Sequence, residues 1–336
     1  MISAQFENEE LETAFLKFKE DWNQNNSVEI FSSGSTGEPK KILISKDQMV
    51  LSASKTIQFF KLKEGIKALV CLSLDTIAGK MMLARSLLGK WDLKIIEPSI
   101  NPLKNLDEHF DFVALVPMQL EQILKESPEK IKQMKTIIVG GAPVSEDLTN
   151  LLKNQRITVF QTFGMTETIS HIALRKIGWE TDLFYQTVEG VEVSDNEGDL
   201  IIHYPEMFQE PVKTNDVVRI KSSKQFQWLG RSDFIINSGG VKLNPEIIEQ
   251  KLSEYIPVSF FITGLSDTKL GQKLALVIEN PLDYIPSKSP LFEILEKYEI
   301  PKIFVVVPIF DRTKSGKINR YKTLKKINFN DWKELV

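Results

Sequence analysis

Between Ile66 and Phe163, short runs rich in β-branched and aromatic residues alternate with amphipathic stretches. "KALVCLSL", "LKIIEP", "DFVALVP", "KTIIVGG" and "ITVFQTF" read as strands, and "AGKMMLARSLLG", "MQLEQILKES" and "SEDLTNLLKN" read as the helices between them. No other feature narrows the folding of this chain so much. Strands that are apolar along their whole length are buried on both faces, and an intervening helix lets successive strands run parallel. The expected fold is α/β, a large N-terminal domain whose mostly parallel sheet is covered by helices. Ligand-binding residues in such a sheet gather in loops at the carboxyl ends of strands. "VPMQL", "VGGAPVS" and "TFGMTET" occupy such ends.

After about Tyr185 the texture changes. "GVEVSDNEGDLIIHYP" and "DVVRIKSSKQFQWLGR" alternate strands with turn residues, a β-rich part of the same large domain. A second change comes at "GRSDFIINSGGVKLNPEIIEQKLSEY", within which Asn244 and Pro245 read as an N-cap and first helical position, with the helix running to about Tyr255. Strands "VSFFITGL" and "KLALVIEN", helix "SPLFEILEKY", strand "KIFVVVP" and a basic tail then make a small, mobile C-terminal α+β domain. The boundary is expected near Asp233, giving domains 1–232 and 233–336. At the other end, Leu11, Phe15, Phe18 and Trp22 recur at helical spacing in an acidic segment that lacks the apolar core of a signal peptide.

A chain of 336 residues can bury a substantial core and divide into two domains. With 42 Lys and Arg against 45 Asp and Glu, the net charge of −3 favours neither nucleic acid nor an anionic membrane. No apolar run approaches the roughly 18 residues of a membrane span. The single cysteine, Cys71, lies inside "ALVCLSL", where a buried structural thiol is expected and a reducing cytoplasm fits. His109, His171 and His203 have no ligand spacing, so zinc is not expected, and no G-x-S-x-G element occurs.

Several segments carry chemistry. "IFSSGSTGEPKKILIS" puts glycines, hydroxyls and a lysine into a loop, Ser32 to Lys40, suited to cradling phosphate. It is not a Walker loop: two residues separate Gly34 from Gly37, and Lys40 follows only after Glu38 and Pro39. "KKILI" reads as a strand, and a helix starts at Ser45, whose S-x-x-Q to Gln48 is a capping box. Taken alone, this strand-loop-strand is either a phosphate loop or a Ser/Gly turn. In "TFGMTETISH", Thr166 can donate to a phosphate oxygen and Glu167 can hold the magnesium of a triphosphate, or the segment is a helix cap. "KTND" sets Asp216 between strands, as a contact for ribose hydroxyls or a turn aspartate. "GRSD" supplies Arg231 with Asp233, and "SGGVK" supplies adjacent glycines. "DRTKSGKINRYKTLKK" is either a solvated basic run or a turn that projects Lys317.

In order, "SSGSTGEPK", "GGAP", "FGMTE", "KTND", "LGRSD", "SGGVKLNPEIIE" and "RTKSGK" resemble, in sequence and spacing, the successive motifs of the acyl-adenylate-forming (AMP-binding) superfamily, over roughly Ile30 to Lys326. The resemblance implies an acid–thiol ligase that uses Mg-ATP to convert a carboxylic acid to acyl-AMP and passes the acyl group to coenzyme A. It implies that Ser32, Ser33, Gly34, Ser35, Thr36, Gly37 and Lys40 hold the β and γ phosphates, Thr166 the α-phosphate and Glu167 the Mg²⁺. Gly140, Gly141, Ala142 and Pro143 would flank adenine, with Thr162, Phe163 and Gly164 beside the nucleotide. Asp216 and Arg231 would hold the ribose. Lys317 would act near the α-phosphate, Asp233 would be the hinge of the small domain, and Ser238, Gly239 and Gly240 would line the approach of the thiol.

The chain departs from the family's pattern in places. Relatives usually carry a longer subdomain ahead of the loop at Ser32, so pocket walls or an oligomer contact are expected to be missing. Asn215 and Asn237 replace a common glycine and lysine, and "LDTIAG" lacks a histidine often found near Thr76. Within the superfamily, "VPMQL" and "GMTETISHIALR" look closest to the 2-succinylbenzoate–CoA ligases of menaquinone biosynthesis. That substrate is an aromatic diacid, and Ser170, His171 and Arg175 are the expected contacts for its second carboxylate. A ligase for another small acid, a carrier-protein-loading enzyme and a non-catalytic nucleotide-binding protein are the alternatives.

Overall fold

The computed structural model describes residues 3–32, 40–253, 255–279, 293–312 and 318–335. By its internal contacts the chain divides into two compact units: Met1–Val144 with Leu148–Glu192 and His203–Pro211, and Ser145–Asp147 with Val193–Ile202 and Val212–Val336. The boundary expected at 232/233 falls inside the second unit.

The first unit is built on strands β1 (Ala4–Phe6), β4 (Lys67–Val70), β5 (Asp92–Ile95), β6 (Phe110–Leu115), β7 (Met134–Val139), β8 (Thr158–Gly164), β9 (His171–Gly178) and β10 (Tyr185–Thr187), in the order β1-β5-β4-β6-β7-β8-β9-β10. From β1 to β8 every pairing is parallel; β9 and β10 continue the sheet antiparallel. A separate hairpin of β2 (Ser27–Ser32) and β3 (Lys40–Ser45) leads into α2 (Lys46–Phe60). The capping box expected at Ser45 is present, with the Ser45 hydroxyl accepting from the Gln48 N–H and the Gln48 side chain accepting from the Ser45 N–H.

Both faces of the sheet are covered, as its continuous apolar strands require. Val113, Leu115, Ile137 and Val139 pack against Leu120 and Ile123 of α4 (Pro117–Glu126) and Leu148 and Leu152 of α5 (Glu146–Asn154). The alternate residues Phe112 and Phe160 meet Phe60 of α2 at ring-centroid distances of 5.7 and 4.9 Å. The helix α3 (Ile77–Gly89) lies alongside α2. Cys71 is fully buried, donates to the Ala114 carbonyl and has its thiol pushed up to about 12 by burial, so it is a packing residue. The amphipathic N-terminal helix is α1 (Glu9–Gln24): Leu11, Phe15, Phe18 and Trp22 are its buried residues, and Phe15 packs on Phe6 of β1.

The second unit holds two sheets. Strands β11 (Glu192–Asn196), β12 (Asp199–His203), β13 (Val212–Ser222) and β14 (Gln225–Arg231) lie in the order β14-β13-β12-β11, with β12, β13 and β14 pairing antiparallel. The other sheet runs β16 (Val241–Leu243), β15 (Ile236–Ser238), β18 (Gly271–Glu279), β19 (Ile303–Val307), β20 (Lys333–Glu334), with β17 (Phe260–Asp267) also on β18. Its faces separate cleanly along alternate residues. Ile262, Leu274, Leu276 and Ile278 pack with Ile248 and Leu252 of α6 (Pro245–Leu252), while Phe261, Val277 and Val305 pack with Phe310. The Asn244 cap and Pro245 start of α6 are as expected, but the helix ends at Leu252 rather than near Tyr255. Of the expected helix "SPLFEILEKY", residues 289–292 lie outside the described residues; Glu293 and Ile294 are helical, and Lys297–Glu299 form a turn.

Phe15, 4% exposed, ties α1 to the edge of the first sheet. Phe15→Ala is expected to destabilise this unit by about 3–5 kcal/mol, the usual cost of truncating a buried phenylalanine. Urea midpoints of the two proteins measure this, and a difference below about 0.5 kcal/mol would show that α1 contributes no core.

Candidate active site

The loops at the carboxyl ends of β6, β7 and β8 carry the residues singled out above. Gly140 to Pro143 follow β7 directly. Thr162, near the end of β8, donates its hydroxyl to the Val139 carbonyl at 3.2 Å, which sets the "TFG" segment beside the "GGAP" turn. Thr166 and Glu167 lie in the short 3-10 turn Thr166–Thr168 that joins β8 to β9.

That turn is over-determined. The buried Thr168 hydroxyl accepts from the Met165 N–H at 3.0 Å and lies 2.8 Å from the Ser170 carbonyl, to which it can donate. Ile169 has φ +67° and ψ −46°, and the Ser170 N–H reaches the Thr168 carbonyl at 2.7 Å across it, the geometry of a strained γ-turn. A β-branched residue held there costs about 1–3 kcal/mol and persists only when its surroundings enforce it. Gly164 makes the approach possible, since a Cβ there would meet the Ser170 carbonyl oxygen at 2.2 Å. The exposed Glu167 carboxylate is thus presented from a rigid turn.

Behind the turn lies a residue that the sequence reading missed. Arg85, in the middle of α3, is 2% exposed. Its Nε donates to the Thr56 hydroxyl at 3.1 Å and its Nη2 to the Ser170 hydroxyl at 2.7 Å, while Thr56 Oγ1 is also 3.1 Å from His171 Nε2. All of these partners are neutral. Among the described residues no carboxylate pairs with Arg85, and burial alone lowers its pKa to about 10. Burial, and secondarily the neighbouring Arg85 charge, holds the His171 imidazole well below its ordinary 6.5, so the ring is neutral. Of the three expected contacts for a second carboxylate, Ser170 and His171 come together around Arg85. Arg175 does not join them; it donates to Gln161 at 2.8 Å and lies over the Tyr185 ring.

In the second unit Asp216 is not between strands, as "KTND" suggested, but inside β13, directly opposite Arg231 of β14. The long strand continues through it because β-bulges absorb the mismatched register. Asp216 accepts from the Trp228 indole N–H at 2.9 Å, and its other oxygen is 4.0 Å from Arg231 Nη1. Burial raises the Asp216 carboxyl, against the lowering effects of the Trp228 hydrogen bond and the Arg231 charge. Arg231 is gripped in bidentate fashion by Asp233, both N···O distances being 2.9 Å. Ser238 closes the β15–β16 hairpin through Gly239 (φ +60°) and Gly240 (φ +85°), a two-residue loop whose backbone suits glycine. Ser33 to Gly37 of the first loop, and Lys317, lie outside the described residues; of Ser32 and Lys40 the structure describes the backbone, as the ends of β2 and β3.

The AMP-binding enzyme family profile matches residues 3–199. The chain belongs to that family. The enzyme class expected from the motifs, an AMP-forming acid–thiol ligase, stands with it. The chain is 27% identical to a 2-succinylbenzoate–CoA ligase of Listeria monocytogenes, matching over 90% of its own length and 71% of the relative's. The acyl-CoA synthetase (AMP-forming)/AMP-acid ligase II-like protein from Dyadobacter fermentans is 37% identical, with a TM-score of 0.63 and 94% of each chain covered. The o-succinylbenzoate coenzyme A synthetase from Bacillus subtilis, in complex with ATP and magnesium ion, matches at a TM-score of 0.73 and 20% identity over 88% of this chain and 69% of that one.

The neutral, buried His171 has a pH consequence. Its folded pKa lies below the 6.5 of the free side chain, so below about pH 6.5 the unfolded state binds a proton that the folded state does not. Its contribution to stability is full above pH 6.5 and declines as pH falls toward the folded pKa, with a slope approaching about 1.4 kcal/mol per unit. The stability difference between the native protein and His171→Asn, from chemical denaturation at pH 7.5 and 5.5, should therefore shrink at the lower pH. A pH-independent difference would show that His171 titrates normally.

Proposed function

We propose that this enzyme activates an aromatic or small aliphatic diacid, 2-succinylbenzoate being the leading candidate, and transfers the acyl group to coenzyme A. The observation that carries the substrate reading is Arg85. A guanidinium out of water with only neutral partners is costly unless an anion completes it. Its Nη1 makes no hydrogen bond to any described residue. A second substrate carboxylate, joined by the Ser170 hydroxyl, supplies the missing charge. The 2-succinylbenzoate–CoA ligases among the relatives support the same choice.

The residues of the chain fit the family's ligands. The metal expected with a triphosphate keeps waters and phosphate oxygens around it and needs only one or two carboxylates. A single exposed acid, Glu167, suits that role, and no group of three metal-ligating side chains occurs among the described residues. When bound, Mg²⁺ supplies charge neutralisation for the phosphates. Thr166 would donate to the α-phosphate, the Ser32 to Lys40 loop to the outer phosphates, and Asp216 and Arg231 would hold the sugar.

In the first half-reaction a carboxylate oxygen of the acid attacks the α-phosphorus of ATP. The bond to pyrophosphate breaks and acyl-AMP forms. The chain's part is positioning and electrostatic stabilisation. In the second half-reaction the sulfur of coenzyme A, losing its proton, attacks the acyl carbonyl and AMP departs. Residues 233–336 are proposed to turn about Asp233 between the two, bringing Lys317 for adenylation and Ser238 to Gly240 for thiol transfer.

Two outcomes test this reading. With coenzyme A present, AMP formation from 2-succinylbenzoate should exceed that from benzoate by at least about 10-fold, the scale of one charge-assisted contact; equal rates would exclude the diacid. Lys317→Ala should lower acyl-AMP formation by about 10²–10³ while leaving conversion of supplied acyl-AMP and coenzyme A near the native rate. Parallel loss in both half-reactions would remove the role given to Lys317.

A further inference from the structure

The guanidinium of Arg85 is held at two of its three nitrogens. Nη2 donates to the Ser170 hydroxyl at 2.7 Å and Nε to the Thr56 hydroxyl at 3.1 Å. A planar group held at one point can swing about that bond; held at two, its plane is fixed. The two anchors differ in kind. Ser170 is also assigned to the second carboxylate, so a ligand competes for its hydroxyl. Thr56, toward the end of α2 and 1% exposed, has no such second duty. A hydroxyl accepts from Nε only if its own proton points elsewhere. The Ser52 carbonyl, four residues back along α2 at 3.2 Å, can take that proton. His171 Nε2, at 3.1 Å, either takes it instead or donates to the remaining lone pair, according to the tautomer. In both cases one lone pair of Thr56 Oγ1 stays turned to Arg85.

We propose that Thr56 is a positioning residue for diacid recognition, fixing the plane of Arg85 so that Nη1 is aimed at the second carboxylate before the acid arrives. The inference rests on the reading of Arg85 as the contact for that carboxylate and goes one step beyond it. Nη1 makes no hydrogen bond to any described residue. An arginine side chain has more rotamer freedom than most, and ordering it at the moment of binding weakens the complex. Here the ordering is done in advance by a buried threonine on a neighbouring helix. The effect belongs to recognition of the acid and not to the chemistry of the nucleotide.

Steady-state kinetics of the full chain with 2-succinylbenzoate, ATP and coenzyme A test this. Thr56→Val keeps the shape of the side chain and removes the hydroxyl. It should raise KM for the diacid at least about 10-fold, the scale of one hydrogen bond to a charged group, and leave kcat and KM for ATP within about 3-fold of native. Thr56→Ser should bring KM for the diacid back to within about 3-fold. Loss of a merely structural threonine would lower the folded fraction, and so the maximal rate, without moving KM. In an Arg85→Met background Thr56→Val should change KM by less than about 2-fold, because nothing is left to position. A native KM in Thr56→Val would overturn the proposal, as would an undiminished effect in the Arg85→Met background. If Thr56→Val does not fold, Thr56→Cys carries the test: sulfur is a weak acceptor, so its KM should lie at least about 3-fold above that of Thr56→Ser, and equal values would overturn the proposal. Arg85→Met alone separates the two levels. If it leaves KM for the diacid unmoved, the carboxylate reading fails along with the proposal; if it raises KM while Thr56→Val does not, only the role of Thr56 falls.

Discussion

A buried guanidinium surrounded only by neutral groups is electrostatically incomplete, and in this protein much of the candidate site is arranged around one. Arg85 draws Thr56 from α2 and Ser170 from the turn between β8 and β9, and Thr56 in turn meets His171. Those few bonds connect α2, α3 and the strained segment that also displays Thr166 and Glu167. Desolvating a cation without a counterion opposes folding. The arrangement makes physical sense if the missing anion is the substrate, because the unsatisfied charge is then realised as binding energy.

The second unit solves a different problem by neutralisation. Arg231 faces Asp216 across the strand pair and is clamped by Asp233, so this cation has acidic partners before any ligand arrives. Elsewhere in this unit, Arg320 of the short helix Arg320–Lys325 pairs with Glu249 of α6 at 2.8 Å, and the Glu249 carboxyl is still pushed up to about 7 by burial. Arg320 also lies over the rings of Phe234 and Phe261. The contrast with Arg85 is instructive. For the partly buried Arg231 and Arg320 the chain provides an acid; beside Ser170, among the described residues, it provides none.

How much of this was legible in the sequence depends on how local each feature is. The parallel sheet could be read because its strands are apolar throughout and alternate with helices. The Ser45 capping box and the Asn244–Pro245 helix start could be read because caps involve neighbours three residues apart or fewer. Ser170 and His171 were found beside the family motif that precedes them. Arg85 escaped because its partners lie 29 and 85 positions away. The available signal was an arginine midway along a largely apolar helix that contains no acid. Arg175 was grouped with His171 by proximity in the chain, yet its cross-strand partner Gln161 claims it. The meeting of Trp228 with Asp216 depends on a one-residue bulge, and strand periodicity alone would have placed the two on opposite faces.

The account turns on Arg85 being kept for a ligand rather than for the fold, and paired stability and ligand-binding measurements on Arg85→Met test that most directly. Melting temperature should be unchanged or higher in the variant, because a charge without a counterion has been replaced by an apolar side chain of similar length. Addition of 2-succinylbenzoate with ATP should raise the melting temperature of the native protein, by about 2.7 kcal/mol of linkage at a hundredfold excess over Kd, and leave that of the variant nearly unmoved. A variant that melts well below the native protein yet is stabilised by the diacid to the same extent would contradict the account.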